Sequence, residues 1–506
     1  MPAVTVERPS NVSDALARGR LGVPSVIFFV MSAAAPLTVV AGLVPTGYAV
    51  TGITGLPVAF LVVAAVLALF SVGYVAMARQ VENAGAFYAY VSRGLGRPAG
   101  ISVAWIAMMS YDALQVGLYG VIGAASAPLL EGLFGVAPAW WLVALAAWAL
   151  VAVLGLLRID VSGKVLAVLL VAEVAAILLF DLGQLGHPAG GSVSLAALSP
   201  DHLFVPGGAA LLVIAATGFV GFESAVVFSD ESRHPRRTVP RATYLSLAVM
   251  VMVYVLSAWS LTVATGPEQV AGQAGEQGLD LVFNLAGTHL GDTAATIGQA
   301  LFVTSVLAAM ISFHNTTARY IFALGRERVL PAPFGRTSPR TGAPQAASIA
   351  QSGLGLLVIL VYATNGFDPV RELFYHLGLA GGFGVLLLTA VVCVAIIVFF
   401  ARNRVEESLW RRALAPGLAA VALLVMIVLA LKDFHVLLGV PADSPLRWAI
   451  PAAYPVMGLV GLHWALLLRG RRPDAFARIG LGVESAALLD DVTPEPGADP
   501  APAPRR

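Results

Sequence analysis

Twelve long apolar runs divide this chain of 506 residues, and they constrain its fold more than any other feature. A helix needs about 20 apolar residues to cross the hydrocarbon core of a bilayer. The runs lack the strict alternation, in segments of about ten residues, that membrane barrel strands show. We therefore predict an all-α integral membrane protein with twelve transmembrane helices. Their predicted bounds are 24–50, 56–78, 101–130, 139–157, 163–183, 207–229, 243–265, 293–318, 345–364, 373–401, 412–432 and 448–468.

Composition supports lipid as the solvent for most of the chain. Hydrophobic residues make up 58% of the sequence and charged residues 12%, too little charge for the surface of a water-soluble domain of this length. The single cysteine, Cys393, excludes an intramolecular disulfide, and we assign no metal site. A formal net charge of +1 gives no support to nucleic-acid binding.

The distribution of arginine predicts the orientation in the membrane. An even number of spans puts both termini on one side, and cytoplasmic loops carry the excess of Lys and Arg. Cytoplasmic termini leave only Arg371, Lys432 and Arg447 on the opposite side. We therefore expect a multi-pass protein of the bacterial inner membrane. Residues 1–20 have no apolar core and are expected to form a cytoplasmic tail without a cleavable signal peptide. The twelve helices form one domain at 21–470, and the Pro-rich residues 471–506 are expected to form a disordered cytoplasmic tail.

Two of the predicted spans contain residues that interrupt helices. Pro36 follows three alanines in span 1, and Gly218 and Gly221 lie in the middle of span 6. Interrupted helices at corresponding places in two halves indicate a transporter built from inverted repeats. The offset of five spans predicts repeats at about 24–183 and 207–401, with two additional helices at about 412–468. The alternative is that these residues only permit close helix packing.

Two stretches of sequence carry a resemblance to a known family. The first runs from span 6 into the following loop and includes Gly221, Phe222 and Glu223, then Pro235, Arg237, Pro240, Arg241 and Ala242. The second ends span 8 and includes Arg319, Tyr320, Gly325, Arg326, Glu327, Leu330 and Pro331. On these motifs the chain, from about residue 18 to 470, resembles the amino acid, polyamine and organocation superfamily. The resemblance implies a five-plus-five inverted-repeat fold with broken helices 1 and 6, and alternating access.

The same resemblance implies where a substrate binds. Around the first break it places Ala33, Ala34, Ala35 and Pro36, whose region would offer amides to a substrate carboxylate. Around the second break it places Thr217, Gly218, Phe219 and Gly221, which would offer carbonyls and a lid to the amino group and side chain. Half-helix ends suit these charges, because a helix N-terminus is partly positive and a C-terminus partly negative.

Acidic residues inside the spans need a physical reason, because each costs several kcal/mol unless it is paired, protonated or hydrated. Asp112 in span 3 is predicted to face the substrate, which would favour cationic amino acids or polyamines. The alternative is a hydrogen-bonded Asp112 that holds span 3 to a neighbouring helix. Glu173 in span 5 is the candidate for picking up and releasing a co-transported proton, against a purely structural role. Thr304 and Ser305 in span 8 are candidate sodium ligands, against an ordinary helix contact.

The loop after span 6 is predicted to gate the transporter. We assign Glu223, Arg237 and Arg241 to an inner gate, with the arginines pairing with Asp230 and Glu231 rather than with anionic lipid headgroups. The structural interpretation of Glu223, an anion at a half-helix N-terminus, is slightly favoured. The histidines in or near spans share no spacing and are read as packing residues.

These features predict a secondary active transporter of amino acids or related amines. Proton-coupled symport is the first interpretation; sodium-coupled symport and exchange of amino acids or polyamines remain open. The co-transported H+ or Na+ is the only cofactor expected, and the expected partners are the substrate and membrane lipids. A membrane enzyme is disfavoured because HExxH and GxSxG motifs are absent from the sequence, and a channel because the polar features lie at two broken helices of one chain.

Overall fold

A computed structural model describes residues 21–81, 86–157, 163–226, 232–338, 340–403 and 406–481, and the statements below concern those residues. They confirm the all-α membrane fold, with one isolated β-bridge between Leu21 and Ser232. The helices are α1 Val23–Ala34, α2 Val44–Thr51, α3 Leu56–Ala78, α4 Ala86–Gly94, α5 Arg97–Phe134, α6 Trp140–Gly155, α7 Gly163–Gly186, α8 Ala209–Gly218, α9 Pro235–Thr265, α10 Val270–Gln277, α11 Leu281–Leu290, α12 Asp292–Arg326, α13 Gln345–Asn365, α14 His376–Arg402, α15 Ala415–Lys432, α16 Phe434–Leu438, α17 Ala449–Arg471 and α18 Pro473–Arg478.

Eleven helical segments of the described chain are long and apolar enough to cross a membrane. The remaining predicted span, 139–157, is the apolar helix α6, which has 16 residues and is therefore shorter than a typical span. The first span combines α1, a π-helical segment at Thr38–Leu43 and α2. The sixth combines α8 with a 3-10 segment at Phe222–Val226. Both predicted interruptions, near 33–36 and 217–221, are therefore present.

The long helix α5 lies at the centre of the bundle. It packs against α4, α6, α12, α14 and α17. Gly123 brings α5 close to α6, because a Cβ at this position would lie 2.4 Å from the carbonyl oxygen of Trp140. Side chains on different faces of α5 consequently meet different neighbours, and this decides which of them reach the functional site.

The prediction that the chain is disordered from residue 471 is wrong for residues 471–481. Helix α17 continues to Arg471, and α18 then packs on the ends of α4 and α5. The guanidinium of Arg97 donates to the Ala477 carbonyl at 2.7 Å and lies over the Phe476 ring. The Gly480 amide donates to the buried carboxylate of Glu327 at 2.9 Å. Polar partners on the bundle thus order a segment whose own apolar content is too low to predict a fold. Residues 482–506 lie outside the described part.

We predict that α18 stabilises the bundle, because it ties the end of α12 to α4 and α5. A chain that ends at Arg472 should melt a few degrees lower in detergent than one that ends at Leu481, since it loses three hydrogen bonds of about 1 kcal/mol each. Thermal unfolding of both truncated chains, followed by tryptophan fluorescence, measures the difference. Equal melting temperatures would show that α18 is only peripheral.

Candidate functional site

The first helix is interrupted at Ala35, whose backbone is left-handed with φ 44° and ψ 71°. The Ala35 amide donates to the Met31 carbonyl at 2.8 Å and so ends α1 in the manner of an αL cap. Pro36 then supplies no amide proton. The amide of Leu37, a residue that is fully buried, is therefore the first donor of the second half-helix.

The sixth helix is interrupted where α8 ends at Gly218. The carbonyls of Thr217 and Phe219 accept the amides of Val220 and Phe222, each at 3.2 Å, so the chain makes tight turns before the 3-10 segment. Gly221 has φ 110°, and a Cβ there would lie 3.0 Å from both the Ala33 Cβ and the Ala34 nitrogen. Only glycine satisfies both constraints, and the two broken helices therefore touch each other at Gly221.

A cavity lies between the two breaks. Its walls come from the first and sixth helices, from α5 and α12, and from the region where the tenth span begins. Its lining residues are Ala33, Ala34, Ala35, Thr38, Val39, Leu43, Leu114, Leu118, Thr217, Val220, Ala309, Phe313, Phe374 and Gly378. An apolar cavity with a few polar groups at one end is the usual form of a site for a small molecule.

Glu173 on α7 caps the second half of the broken first helix. Its Oε1 accepts the Leu37 amide at 2.6 Å and the Ser305 hydroxyl at 2.8 Å. The Thr38 hydroxyl lies 3.1 Å from the Ser305 hydroxyl, and Glu173 is only 5% exposed. The structure thus joins two predicted coupling residues, Glu173 and Ser305, at the break. Thr304 is not part of this cluster, because its hydroxyl donates to the Leu301 carbonyl of its own helix at 2.9 Å.

Asp112 lies away from the cavity, and the structure differs here from the prediction. The Gln351 side chain on α13 interacts with its carboxyl, whose buried Oδ1 atom has no hydrogen-bond partner among the described residues. Gln351 also donates to the Gln115 side chain, and Gln115 lies 3.3 Å from the Nδ1 atom of His314. The Nε2 atom of His314 is 2.7 Å from the Ser348 hydroxyl. Asp112 therefore belongs to a buried polar network that holds α5, α12 and α13 together, as in the alternative considered for this residue.

Helical spacing along α5 explains which residues reach the cavity. Leu114 and Leu118 line it, and Tyr111 lies on the same face at three and seven residues before them. Asp112 projects from a different side of the helix, whereas Gln115 lies only about 60° from Leu118 around the helix axis. This i, i+3, i+7 pattern is visible in the sequence and would have separated the cavity face from Asp112, although not from Gln115.

Glu223 fixes the second break to α5. Its Oε1 accepts the Tyr111 hydroxyl at 2.7 Å and its Oε2 accepts the Gly221 amide at 2.9 Å. Arg237 and Arg241 instead lie exposed on α9, so the structure does not bring the three predicted gate residues together. Asp230 and Glu231, the predicted partners of these arginines, lie outside the described residues.

Two predicted contributions to substrate binding differ in the structure. The Phe219 ring, expected to act as a lid, is fully buried against Phe60 and Tyr254, with ring centroids 5.8 and 5.5 Å away. The Phe219 ring therefore packs in the core next to the break, while Thr217 and Val220 line the cavity. The Ala35 amide, expected to bind a carboxylate, is engaged by the Met31 carbonyl.

Sequence reasoning missed one buried carboxylate. Asp181 is 1% exposed near the end of α7, and its two oxygens accept the hydroxyls of Ser257 and Ser260 on α9, each at 2.9 Å. The two serines lie three residues apart and so share one helix face, a signal that the sequence does contain. This contact holds α7, which carries Glu173, against α9.

Comparison with known proteins shows the family of the chain. The family model described as "Amino acid permease" matches residues 21–460, and the chain belongs to that family. The low-affinity putrescine importer PlaP of Escherichia coli (strain K12) is 25% identical over 64% of this chain and 69% of its own length. The branched-chain amino acid permease BcaP of Bacillus subtilis (strain 168) is 24% identical over 74% of this chain and 80% of its own.

A solved structure supports the fold alone. A Na+-coupled sialic acid symporter in a substrate-bound outward-open state matches with a TM-score of 0.50 and 12% identity. The match covers 82% of this chain and 91% of that one.

We predict that Asp112→Asn leaves the substrate preference unchanged, because Asp112 faces Gln351 and not the cavity. The concentrations of unlabelled leucine and lysine that compete for labelled leucine uptake in proteoliposomes should stay within about twofold of those for the unmodified protein, the coupling expected of sites that share no contact. Competition by lysine that is strong in the unmodified protein and lost in Asp112→Asn would return Asp112 to the substrate site.

Proposed function

We propose that this protein is a proton-coupled symporter that carries amino acids or related amines across the bacterial plasma membrane by alternating access. Membership of the amino acid permease family supports the substrate class. The contact between Glu173 and the freed Leu37 amide carries the proposal of proton coupling, because it places a titratable group at the break of a helix that lines the cavity.

Proton binding at Glu173 would change the force that holds the first helix. An ionised carboxylate attracts the partly positive N-terminus of the second half-helix, whereas a protonated carboxyl attracts it much less. The Tyr254 hydroxyl also reaches this helix, donating to the Ala34 carbonyl at 3.4 Å. A proton therefore has differential affinity for two positions of the first helix, which is the requirement for coupling it to a conformational change.

Sodium coupling is the second candidate, and the oxygens of Glu173, Ser305 and Thr38 support it. A cation on Glu173 Oε1 would meet the positive end of the Leu37 N–H dipole, which already points at that oxygen. To bind sodium, the Thr304 hydroxyl would also have to break its hydrogen bond to the Leu301 carbonyl. These two features favour proton coupling over sodium coupling.

The orientation and the internal repeat belong to the same proposal. The arginine distribution supports cytoplasmic termini. The interruptions in spans 1 and 6, five spans apart, support two repeats of five helices with opposite orientation. Each repeat would then contribute one broken helix to the cavity.

We predict that Glu173→Gln abolishes accumulation driven by a proton gradient but retains exchange of labelled for unlabelled substrate. The glutamine keeps the size and the acceptor oxygen of Glu173 but cannot take up a proton. A gradient of about one pH unit sustains at most about tenfold accumulation at one proton per substrate. Uptake into proteoliposomes with a proton gradient, a sodium gradient or neither measures both activities.

Ser305→Ala is the matched control, because it removes a hydrogen bond to Glu173 and leaves the titratable group in place. It should still respond to the proton gradient. A Glu173→Gln protein that concentrates substrate in response to this gradient would contradict the coupling role. Accumulation by the unmodified protein with sodium alone would assign coupling to the hydroxyl cluster.

A further inference from the structure

The cavity between the broken helices is apolar on the walls that a substrate side chain would touch. Leu114 and Leu118 come from α5, Phe313 and Ala309 from α12, and Phe374 from the π-helical turn Pro369–Tyr375 that begins the tenth span. Among the described residues that line the cavity, none carries a charge. The polar side chains that reach it are the hydroxyls of Thr38 and Thr217, both next to the helix breaks.

We propose that the substrate is a neutral α-amino acid with an apolar side chain, and that diamines, basic and acidic amino acids are rejected. This inference rests on the proposed function and adds the substrate class. The charged head of a zwitterionic amino acid would lie at the helix breaks, where backbone dipoles and the two threonines are found. Its side chain would extend between the leucines of α5 and the two phenylalanines.

The three carboxyls that could have bound a second ammonium group are engaged elsewhere. Asp112 interacts with Gln351 on α13 and is not among the residues that line the cavity, and Glu173 accepts the Leu37 amide and the Ser305 hydroxyl. Glu223 accepts the Tyr111 hydroxyl and the Gly221 amide. The distal ammonium of lysine or putrescine would therefore be buried without a counter-charge, which is strongly unfavourable in a low-dielectric site.

The hydroxyls near the cavity do not compensate for this missing charge. Thr217 donates to the Val213 carbonyl at 2.8 Å, and Thr38 lies 3.1 Å from the Ser305 hydroxyl. Both lie next to the helix breaks, and both hydroxyls already have partners. A diamine needs a polar partner at each end of an extended chain, and the described lining offers no carboxylate for a second ammonium group.

Ligand-induced stabilisation of the purified protein tests the inference without any gradient, because at a fixed ligand concentration a tighter ligand raises the melting temperature more, with the logarithm of its affinity. Leucine, isoleucine, valine and phenylalanine should stabilise the protein and compete for uptake. Lysine, glutamate and putrescine should bind about a hundredfold more weakly or not at all. Stabilisation by lysine or putrescine equal to that by leucine would overturn the inference and leave the proposed transport function standing.

Substitutions in the wall test whether the apolar contact itself selects the substrate. Leu118→Ala should weaken the binding of leucine about tenfold relative to the binding of alanine, because the side chain of the bound leucine loses its contact with Leu118. Leu118→Asn keeps the branched shape of the side chain but makes it polar, and should weaken leucine binding while leaving a smaller gap than Leu118→Ala does. Leu61→Ala, at a side chain 44% exposed on α3, is the matched control and should have no effect. Unchanged leucine binding in both folded Leu118 variants would contradict the inference.

Failure of all tested amino acids and amines to bind or enter would instead refute the proposed function, and the inference with it.

Discussion

The freed amide at the break of the first helix is the constraint on which the site depends. A backbone donor inside a membrane protein must find an acceptor, because the surrounding hydrocarbon supplies none. Ala35 and Pro36 end one half-helix and leave Leu37 as the first donor of the next, and Glu173 accepts it at 2.6 Å. A break that leaves room for a substrate thus requires an acceptor from outside the broken helix, and here a buried carboxyl on α7 provides it. That contact brings a titratable group to the helix break beside the cavity.

Four carboxyls inside the bundle have distinct roles that follow from their partners. Glu173 accepts an amide at one helix break, and Glu223 accepts the Gly221 amide at the other. Asp181 is satisfied by two serines and holds α7 to α9, and Asp112 is part of the network that joins α5 to α13. Two carboxyls therefore attach neighbouring helices to the broken segments, and two fix the helices that surround them. A proton at Glu173 would weaken the contact that attaches α7 to the broken first helix.

The sequence predicted the fold and the breaks because both depend on local signals. Runs of about 20 apolar residues identify spans, and Pro36, Gly218 and Gly221 interrupt helices wherever they are placed. Asp112 was assigned to the wrong face because its neighbours on α13, above all Gln351, are more than 200 residues away in the chain. Its helical phase relative to Leu114 and Leu118 was nevertheless available. The role of Phe219 depended on Phe60 and Tyr254, which no local pattern connects to it.

The ordered structure of residues 473–481 and the cluster at Glu173 could not be predicted from neighbouring residues in the sequence either. The first depends on Arg97 and Glu327, which come together only when the bundle forms. The second joins α7, α12 and the first helix, and only its individual members could be named in advance. Tertiary contacts between distant segments therefore decide which predicted residues form one site.

Hydrogen exchange of residues 31–44, measured across a range of pH and corrected for intrinsic exchange rates, tests the central claim most directly. If an ionised Glu173 stabilises the second half of the first helix, protection of this segment falls on acidification in the unmodified protein and stays constant in Glu173→Gln. An equal pH-dependent loss of protection in both proteins would show that Glu173 does not control the broken helix.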